Sequence, residues 1–490
     1  MFFRLSGVCR VPIEPHLLTR AAVVGALILV LGCTVGPDYV RPATVAPEAY
    51  KEMSGWKVAE PKAEIARGAW WEIYHDPQLN GLEEQVKISN QDIAVAEAQY
   101  RQARALVQAA RAGYFPTATA GAGYTRSRGS ENVGPARSPG EAISDYLVSG
   151  NVSWELDLWG RIRRTVESSQ ANAQASAADL EGIRLSAQAE LAQDYFEVCA
   201  LDAQKELLEQ TVAAYERILA FTKNRYARGV ASRADVLQAE TQLKSTQAQA
   251  LDLGVQRAQL EHAVAVLIGK PPSVFAIPGT PLTQTPPPVP VAVPSELLER
   301  RPDIAAAERR IAAANAQIGV AVAAYYPTVS LSGLGGFQSS HQENWLTWPS
   351  RVWALGAAVS ETVFDAGLRR AQTDQARAAY EATVAFYRGT VLTGFQEVED
   401  NLAALRILEE EASVQDEAVQ AAQQSVKVST NQYKAGIVNH LALLVVETIA
   451  LNNERSAIDI RGRRMTASVL LIKALGGGWK SSDLPSTDSL

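Results

Sequence analysis

The sequence predicts a mainly α protein with a small β part: a helix, strand, strand, long helix, helix unit written twice, giving a long α-helical coiled-coil tube and four strands per chain. Three observations carry this. About 80 of the 490 residues are alanine, while Phe, Trp and Tyr together make only 7%, a composition of long helices rather than of a thick globular core. Landmarks recur at one offset: Arg225-Tyr226-Ala227-Arg228-Gly229-Val230 is answered 207 residues later by Gln432-Tyr433-Lys434-Ala435-Gly436-Ile437, and Leu267-Ile268-Gly269 by Ala474-Leu475-Gly476. Self-similarity at a fixed offset marks two copies of one structural unit. Between the copies, nine of the 23 prolines fall within 271–294, a linker, since proline continues neither a helix nor a sheet interior.

Taken in order, the chain opens on a targeting segment. Arg4, Arg10 and Arg20 lead into the apolar run 21–32, which suits a signal peptide and is too short to span a bilayer. The run ends in Val30-Leu31-Gly32-Cys33, the pattern of a bacterial lipobox, in which residues 1–32 are removed and Cys33 carries covalent lipid such as palmitate. Residues 33–77 follow as the lipid anchor and an extended segment. The first repeat, 78–269, holds helices at about 78–114, 161–226 and 233–267. After the linker, 270–295, the second repeat, 296–476, holds helices at about 302–325, 368–433 and 439–475, and 477–490 form a tail. The two longest helices would run roughly 100 Å at 1.5 Å per residue, more than a compact domain holds. Val212, Tyr215, Leu219, Thr222 and Tyr226 follow 3,4 spacing, as do Val419, Ala422, Val426, Ser429 and Tyr433, so the helices pair as coiled coil. Gly229 and Gly436 stand where each long helix must reverse.

The strands, at about 117–126, 146–158, 328–338 and 353–364, are each long enough to cross a bilayer when tilted. In the second, Tyr146, Val148, Gly150, Val152, Trp154, Leu156 and Leu158 alternate with Ser149, Asn151, Ser153, Glu155 and Asp157, one face for lipid and one for water. The others alternate more weakly, and Glu361 breaks the last pattern. Four strands cannot close a barrel, and an open edge in lipid leaves backbone groups unpaired at several kcal/mol each. Closure therefore needs other subunits, and three copies would give a trimeric 12-stranded transmembrane β-barrel.

Other function classes fit poorly. A formal charge of −7 offers no basic face for nucleic acid. Three cysteines and five scattered histidines lack the spacing of a metal site, and no catalytic motif is present, so neither an enzyme nor a cofactor beyond the lipid on Cys33 is expected. Glu397 and Asp400 read as a solvated helix face, and Arg300-Arg301-Pro302-Asp303 as a helix start with Pro302 at its first position. An extended coiled-coil envelope lipoprotein without a transport role would explain the helices but not the alternating strands.

Cys33 followed by Gly36-Pro37-Asp38-Tyr39-Val40-Arg41-Pro42, with Leu298-Glu299-Arg300-Arg301-Pro302-Asp303-Ile304 opening the second copy, resembles the outer membrane factor family of TolC-like efflux ducts, in its OprM/NodT lipoprotein branch. The resemblance covers residues 33–478. It implies a homotrimer in the outer membrane of a Gram-negative bacterium, lipid-anchored, with a helical tube reaching part-way through the periplasm. It also implies service to a periplasmic adaptor and an inner-membrane pump, often of the proton-driven RND class. A duct for type I polypeptide secretion is the alternative within the family. Thr34 after the lipidated cysteine is similar to lipoproteins sent on to the outer membrane.

Residue by residue, Gly229 and Gly436 match turn glycines near the adaptor contacts, and Tyr433 with Asp235 match a tyrosine and an aspartate that hydrogen-bond in the closed duct. The arginine expected at the position of Val438 is missing. Leu441 matches a pore-ringing leucine, but Ala442 and Val445 stand where relatives carry carboxylates. The constriction is thus expected to be apolar, blocking ions by dewetting rather than selecting them by charge. Tyr433, Leu441 and Val445 could equally be packed helix-core residues, since their spacing fits that role.

Overall fold

The computed structural model describes residues 34–44, 46–47, 49–53, 69–130, 132, 141–289 and 294–490; the expected signal peptide 1–32 and Cys33 lie outside the described residues. Along the chain run α1 (Pro77–Ser89), α2 (Gln91–Ala112), β1 (Thr117–Arg128), β2 (Ala142–Leu156), α3 (Arg161–Ala227), α4 (Arg233–Leu267), α5 (Pro294–Arg300), α6 (Pro302–Ala323), β3 (Thr328–Ser339), β4 (Arg351–Ser360), α7 (Leu368–Lys434) and α8 (His440–Ala474). The long helices α3 and α7 have 67 residues each, α4 and α8 have 35 each, and α3 packs along α4 as α7 packs along α8.

The boundaries that differ most from the sequence reading are set by side-chain bonds. The helix expected over 78–114 is two helices, because Asn90 accepts hydrogen bonds from the amides of Asp92 and Ile93 and donates its own Nδ2 to the Leu267 carbonyl at 2.9 Å. Its side chain caps a new helix while binding the end of α4. The last strand stops at Ser360, not at 364: Arg369 pairs with Asp365 at 2.6 Å and takes the Thr362 carbonyl, which turns the chain into α7. The strand expected over 146–158 begins earlier, at Ala142, and ends at Leu156. Asp157 then accepts from the amides of Ile162 and Arg163, and Glu155 binds Arg161 with both oxygens. Both strand-to-helix junctions thus rest on an acid and an arginine, in keeping with the duplication.

The strands form one antiparallel sheet in the order β1-β2-β3-β4, so β1 and β4 each have one free edge. Its register aligns side chains that sequence alternation marks only strand by strand. Ala122, Ala120 and Ala118 lie beside Val148, Gly150 and Val152, these beside Phe337, Gly335 and Gly333, and those beside Arg351, Trp353 and Leu355. Farther along, Trp154, Leu331 and Ala357 form the next row and Leu156, Val329 and Val359 the one after. Over these rows the face is apolar apart from Arg351, and it continues through Tyr124, Tyr146 and Ser339 to Arg126 and Ser144; on it Trp353, Leu355 and Val359 are 77%, 80% and 71% exposed. The opposite face carries Thr119, Asn151, Leu334 and Ala354, and then Thr117, Ser153, Ser332 and Gly356. The four α-helices joined directly to strands, α2, α3, α6 and α7, all meet the sheet at one end. Among the described residues no helix is long and apolar enough to cross a membrane.

The largest core lies at mid-height. There Trp70, Trp71 and Tyr74 pack on Tyr195 and Phe196 of α3, and the Tyr195 hydroxyl donates to Asp76, the cap of α1, at 2.8 Å. The linker is strapped across this level. Arg257 holds Asp202 at 2.6 Å and the Ile277 carbonyl at 2.8 Å, while the Leu282 amide reaches the Cys199 carbonyl.

The two family motifs are structural. Tyr39 donates to Glu308, and Asp38 pairs with Arg164, so the segment after Thr34 lies against α3 and α6. Arg301 is only 7% exposed and binds Asp303 through two bonds, Glu397 and the Ala474 carbonyl. Pro302 takes the first turn of α6 as the sequence predicts. Gly476, at φ +90°, closes the end of α8 where a Cβ would meet the Arg300 carbonyl at 2.0 Å, so only glycine fits.

Candidate functional site at the helical tip

Far from the sheet, the two helical hairpins turn over Gly229 and Gly436. The Val230 amide bonds back to the Arg225 carbonyl and the Ile437 amide to that of Gln432, both at 2.9 Å, the six-to-one bond of a Schellman end. Both glycines hold left-handed φ, +74° and +77°, with open space where a Cβ would stand. The requirement is therefore backbone conformation, at about 1 kcal/mol or more for an L side chain, while the surface around each turn is free to meet a partner. Ser232 caps α4 in a reciprocal box with Asp235, and Asn439 caps α8 through the Ala442 amide at 3.0 Å.

Tyr433 lies in the seam between the hairpins, 5% exposed. Its hydroxyl is 3.1 Å from Thr222 Oγ1, a wholly buried atom pair, and the Arg225 guanidinium stacks 5.0 Å from its ring centre. Phe221 and His440 complete the ring contacts, at 5.9 and 5.7 Å. The bond expected between Tyr433 and Asp235 is not the one this protomer makes. Asp235 Oδ2 is engaged by the Ser232 amide and hydroxyl, both at 2.9 Å, because a carboxylate at the third position of a helix reaches back to its cap more readily than across to another hairpin. Thr222 takes its place. It stood in the 3,4 stripe as a polar residue at a core position, and that mismatch was the available signal; Arg225 and His440 gave none.

Leu441, Ala442 and Val445 lie on the opposite side of α8 and are exposed, Leu441 and Val445 by 50% and 51%. Leu443 is the residue that packs inward. Within a protomer the first two turns of α8 thus present a small apolar face to the outside rather than to its own core. Two titratable groups of α8 face the other way. His440 is 3% exposed with neither ring nitrogen hydrogen-bonded, and burial pulls its pKa down against the opposing pull of Asp235. Glu447 has Oε2 unpartnered, and burial pushes its carboxyl up to about 7.

The comparisons with known proteins agree with this architecture. The family model described as "Outer membrane efflux protein" matches residues 82–270 and 293–477, the two repeats in turn. The toluene efflux pump outer membrane protein TtgC of Pseudomonas putida is 31% identical over 455 residues, covering 91% of this chain and 93% of its own. The pyoverdine export outer membrane protein OpmQ of Pseudomonas aeruginosa is 29% identical, covering 95% and 98%. The solved structure of the outer-membrane channel OprN superposes with a TM-score of 0.85 at 30% identity, over 91% of this chain and all of that one. Members of this group are channel proteins. A helical tube carried on four membrane-type strands, matched by the family model over both repeats, places the chain in the outer membrane efflux protein family, as an outer-membrane efflux duct.

Proposed function

We propose that the duct works as a homotrimer, anchored in the outer membrane by lipid on Cys33, and receives its substrate from a periplasmic adaptor and a proton-driven inner-membrane pump. The observation that carries this reading is the sheet: one apolar face runs in register across four strands and ends at two open edges. In lipid those edges need partners, and a β1 edge meeting the β4 edge of the next copy closes twelve strands with every subunit equivalent. The anchor has separate support. Thr34 rests against Gly160, the cap of α3, with its hydroxyl 2.9 Å from Arg163, and the Val35 amide binds the Trp159 carbonyl at 3.2 Å. Thr34 is therefore held at the level where the strands give way to helices, the level that a lipid anchor one residue earlier in the chain calls for. Incorporation of labelled palmitate, lost in Cys33→Ala, checks it.

Substrate choice belongs to the pump. TtgC and OpmQ resemble this chain about equally, yet one is named for toluene and the other for pyoverdine. The duct contributes passage and closure, and closure falls to the tip. Tyr433 locks the inner hairpin, α7 with α8, to α3 through Thr222 and Arg225, and three copies of Leu441, Ala442 and Val445 ring the pore. The turns at Gly229 and Gly436 face the adaptor.

Planar-bilayer recordings of purified trimers test the tip. Tyr433→Phe leaves Thr222 buried without its partner, a loss of about 0.5 to 1.5 kcal/mol, so conductance should rise roughly two- to tenfold. Wild-type pores should pass current unaffected by submillimolar divalent cations on the periplasmic side, whereas Val445→Asp, with three carboxylates focused on the axis, should become blockable. Wild-type conductance unmoved by Tyr433→Phe would remove the lock, and cation block of the wild type would remove the apolar ring.

A further inference from the structure

Ten residues and more inward from the tip turns, the seam between the hairpins holds an open pocket of about 270 Å³ walled by Leu207 to Tyr215 of α3, by Gln423 and Val426 of α7, and by Glu447, Ala450, Leu451 and Glu454 of α8. The titratable groups facing it are Tyr215 from α3 and Glu447 and Glu454 from α8. Gln423 of α7 donates to Glu454, and Gln242 of α4 reaches the Tyr215 hydroxyl from behind. Among the described residues no lysine or arginine lines this pocket. Glu454 thus has a donor, whereas Glu447 Oε2 is buried without a partner. A carboxylate placed between two helical pairs, with one oxygen buried and no cation in the lining, is poorly tolerated in ionised form and well tolerated as the neutral acid. When the hairpins part, water reaches the same group and ionises it.

We propose that Glu447 links the tip gate to protons: the closed seam holds the protonated acid, opening the seam releases the proton, and raising periplasmic pH through neutrality favours the open duct. The proposal rests on the reading of the tip as a gate and adds its regulation. The sign follows from linkage. The closed state binds the Glu447 proton more tightly than the open state, so closure is fully supported at acidic pH and lost as pH rises through about 7. His440, in the same seam, works in the opposite sense. It sits at the first position of α8, where the helix N-terminus opposes positive charge, with Arg225 of α3 stacked on the shared Tyr433 ring and Asp235 of α4 as the countercharge. Its neutral form fits the closed seam, so it weakens the pH response without reversing it.

The test is the conductance of purified trimers in planar bilayers as periplasmic-side pH is raised from 6 to 8. Wild type should rise at least about threefold, and His440→Gln, without the opposing group, roughly tenfold. Glu447→Gln, close in shape to the protonated acid, should show no rise, or a fall from the remaining histidine. An unchanged rise in Glu447→Gln overturns the assignment, and a flat wild-type response overturns it without need of any variant. Tyr433→Phe measured at pH 6 in the same membranes separates the two levels. If it opens the pore while wild type ignores pH, the proton linkage fails and the gate stands; if it changes nothing and wild type ignores pH, both fail.

Discussion

Leu355→Arg should abolish insertion of the duct, while Ala354→Arg, one residue away, should leave it assembled. Leu355 is mid-strand on the apolar face and 80% exposed in the protomer, so its replacement puts a guanidinium against hydrocarbon at about 2 to 4 kcal/mol per copy. With three copies per barrel the penalty approaches the whole stability of an ordinary domain. Ala354 sits on the face shared with Thr119 and Asn151, where an arginine meets water. Outer-membrane fractionation and a heat-resistant band on a gel read both variants. Equal tolerance, or loss of both, would mean that the two faces are not lipid and water.

Neutralising Asp303 and Glu397 together should have the second largest effect. Asp303→Asn with Glu397→Gln leaves the Arg301 guanidinium buried with neutral acceptors alone, the Ala474 carbonyl and the new amide oxygens. An uncompensated buried charge costs roughly 3 to 5 kcal/mol; because both acids are themselves about half exposed, the lower end applies. The damage falls where α6, α7 and the end of α8 meet, so thermal dissociation of the trimer should occur well below that of wild type. Arg301→Met, which removes the charge along with its partners' reason to be there, should cost less than the double neutralisation. A double variant as heat-resistant as wild type would show that the motif around Arg301 serves something other than packing.

The helices and strands were legible because their signals are local. Alanine-rich composition marks α3 and α7 as helices, 3,4 spacing shows over 212–226 and 419–433, and the alternation of Val148, Val152 and Trp154 marks a two-faced strand without reference to any neighbour. Most of what escaped the sequence depends on contacts between distant residues. Asn90 breaks a helix only because the Leu267 carbonyl, 177 residues on, arrives beside it; the end of β4 is local, Arg369 closing on Asp365 and Thr362, but it follows no periodic pattern. The candidate site divides the same way. The turn glycines follow from where helices must reverse, and Tyr433 from the resemblance to a family. Its partner Thr222 is 211 residues away, a pairing that no local pattern contains. The apolar character of Leu441, Ala442 and Val445 is plain in the sequence, but their exposure, which sets them apart from Leu443, emerges only when α8 is packed on its neighbours.

The central claim is that each chain supplies one third of a closed barrel through its two free edges. Cysteines placed singly on β1 and β4, at Ala120 and Ala357 on the lipid-facing side, and treated in whole cells with a short bifunctional thiol reagent test this most directly. The account predicts cross-linked species ending at three chains, formed only when both cysteines are present. A ladder that continues past three, or protein that stays monomeric while resident in the outer membrane, would contradict it.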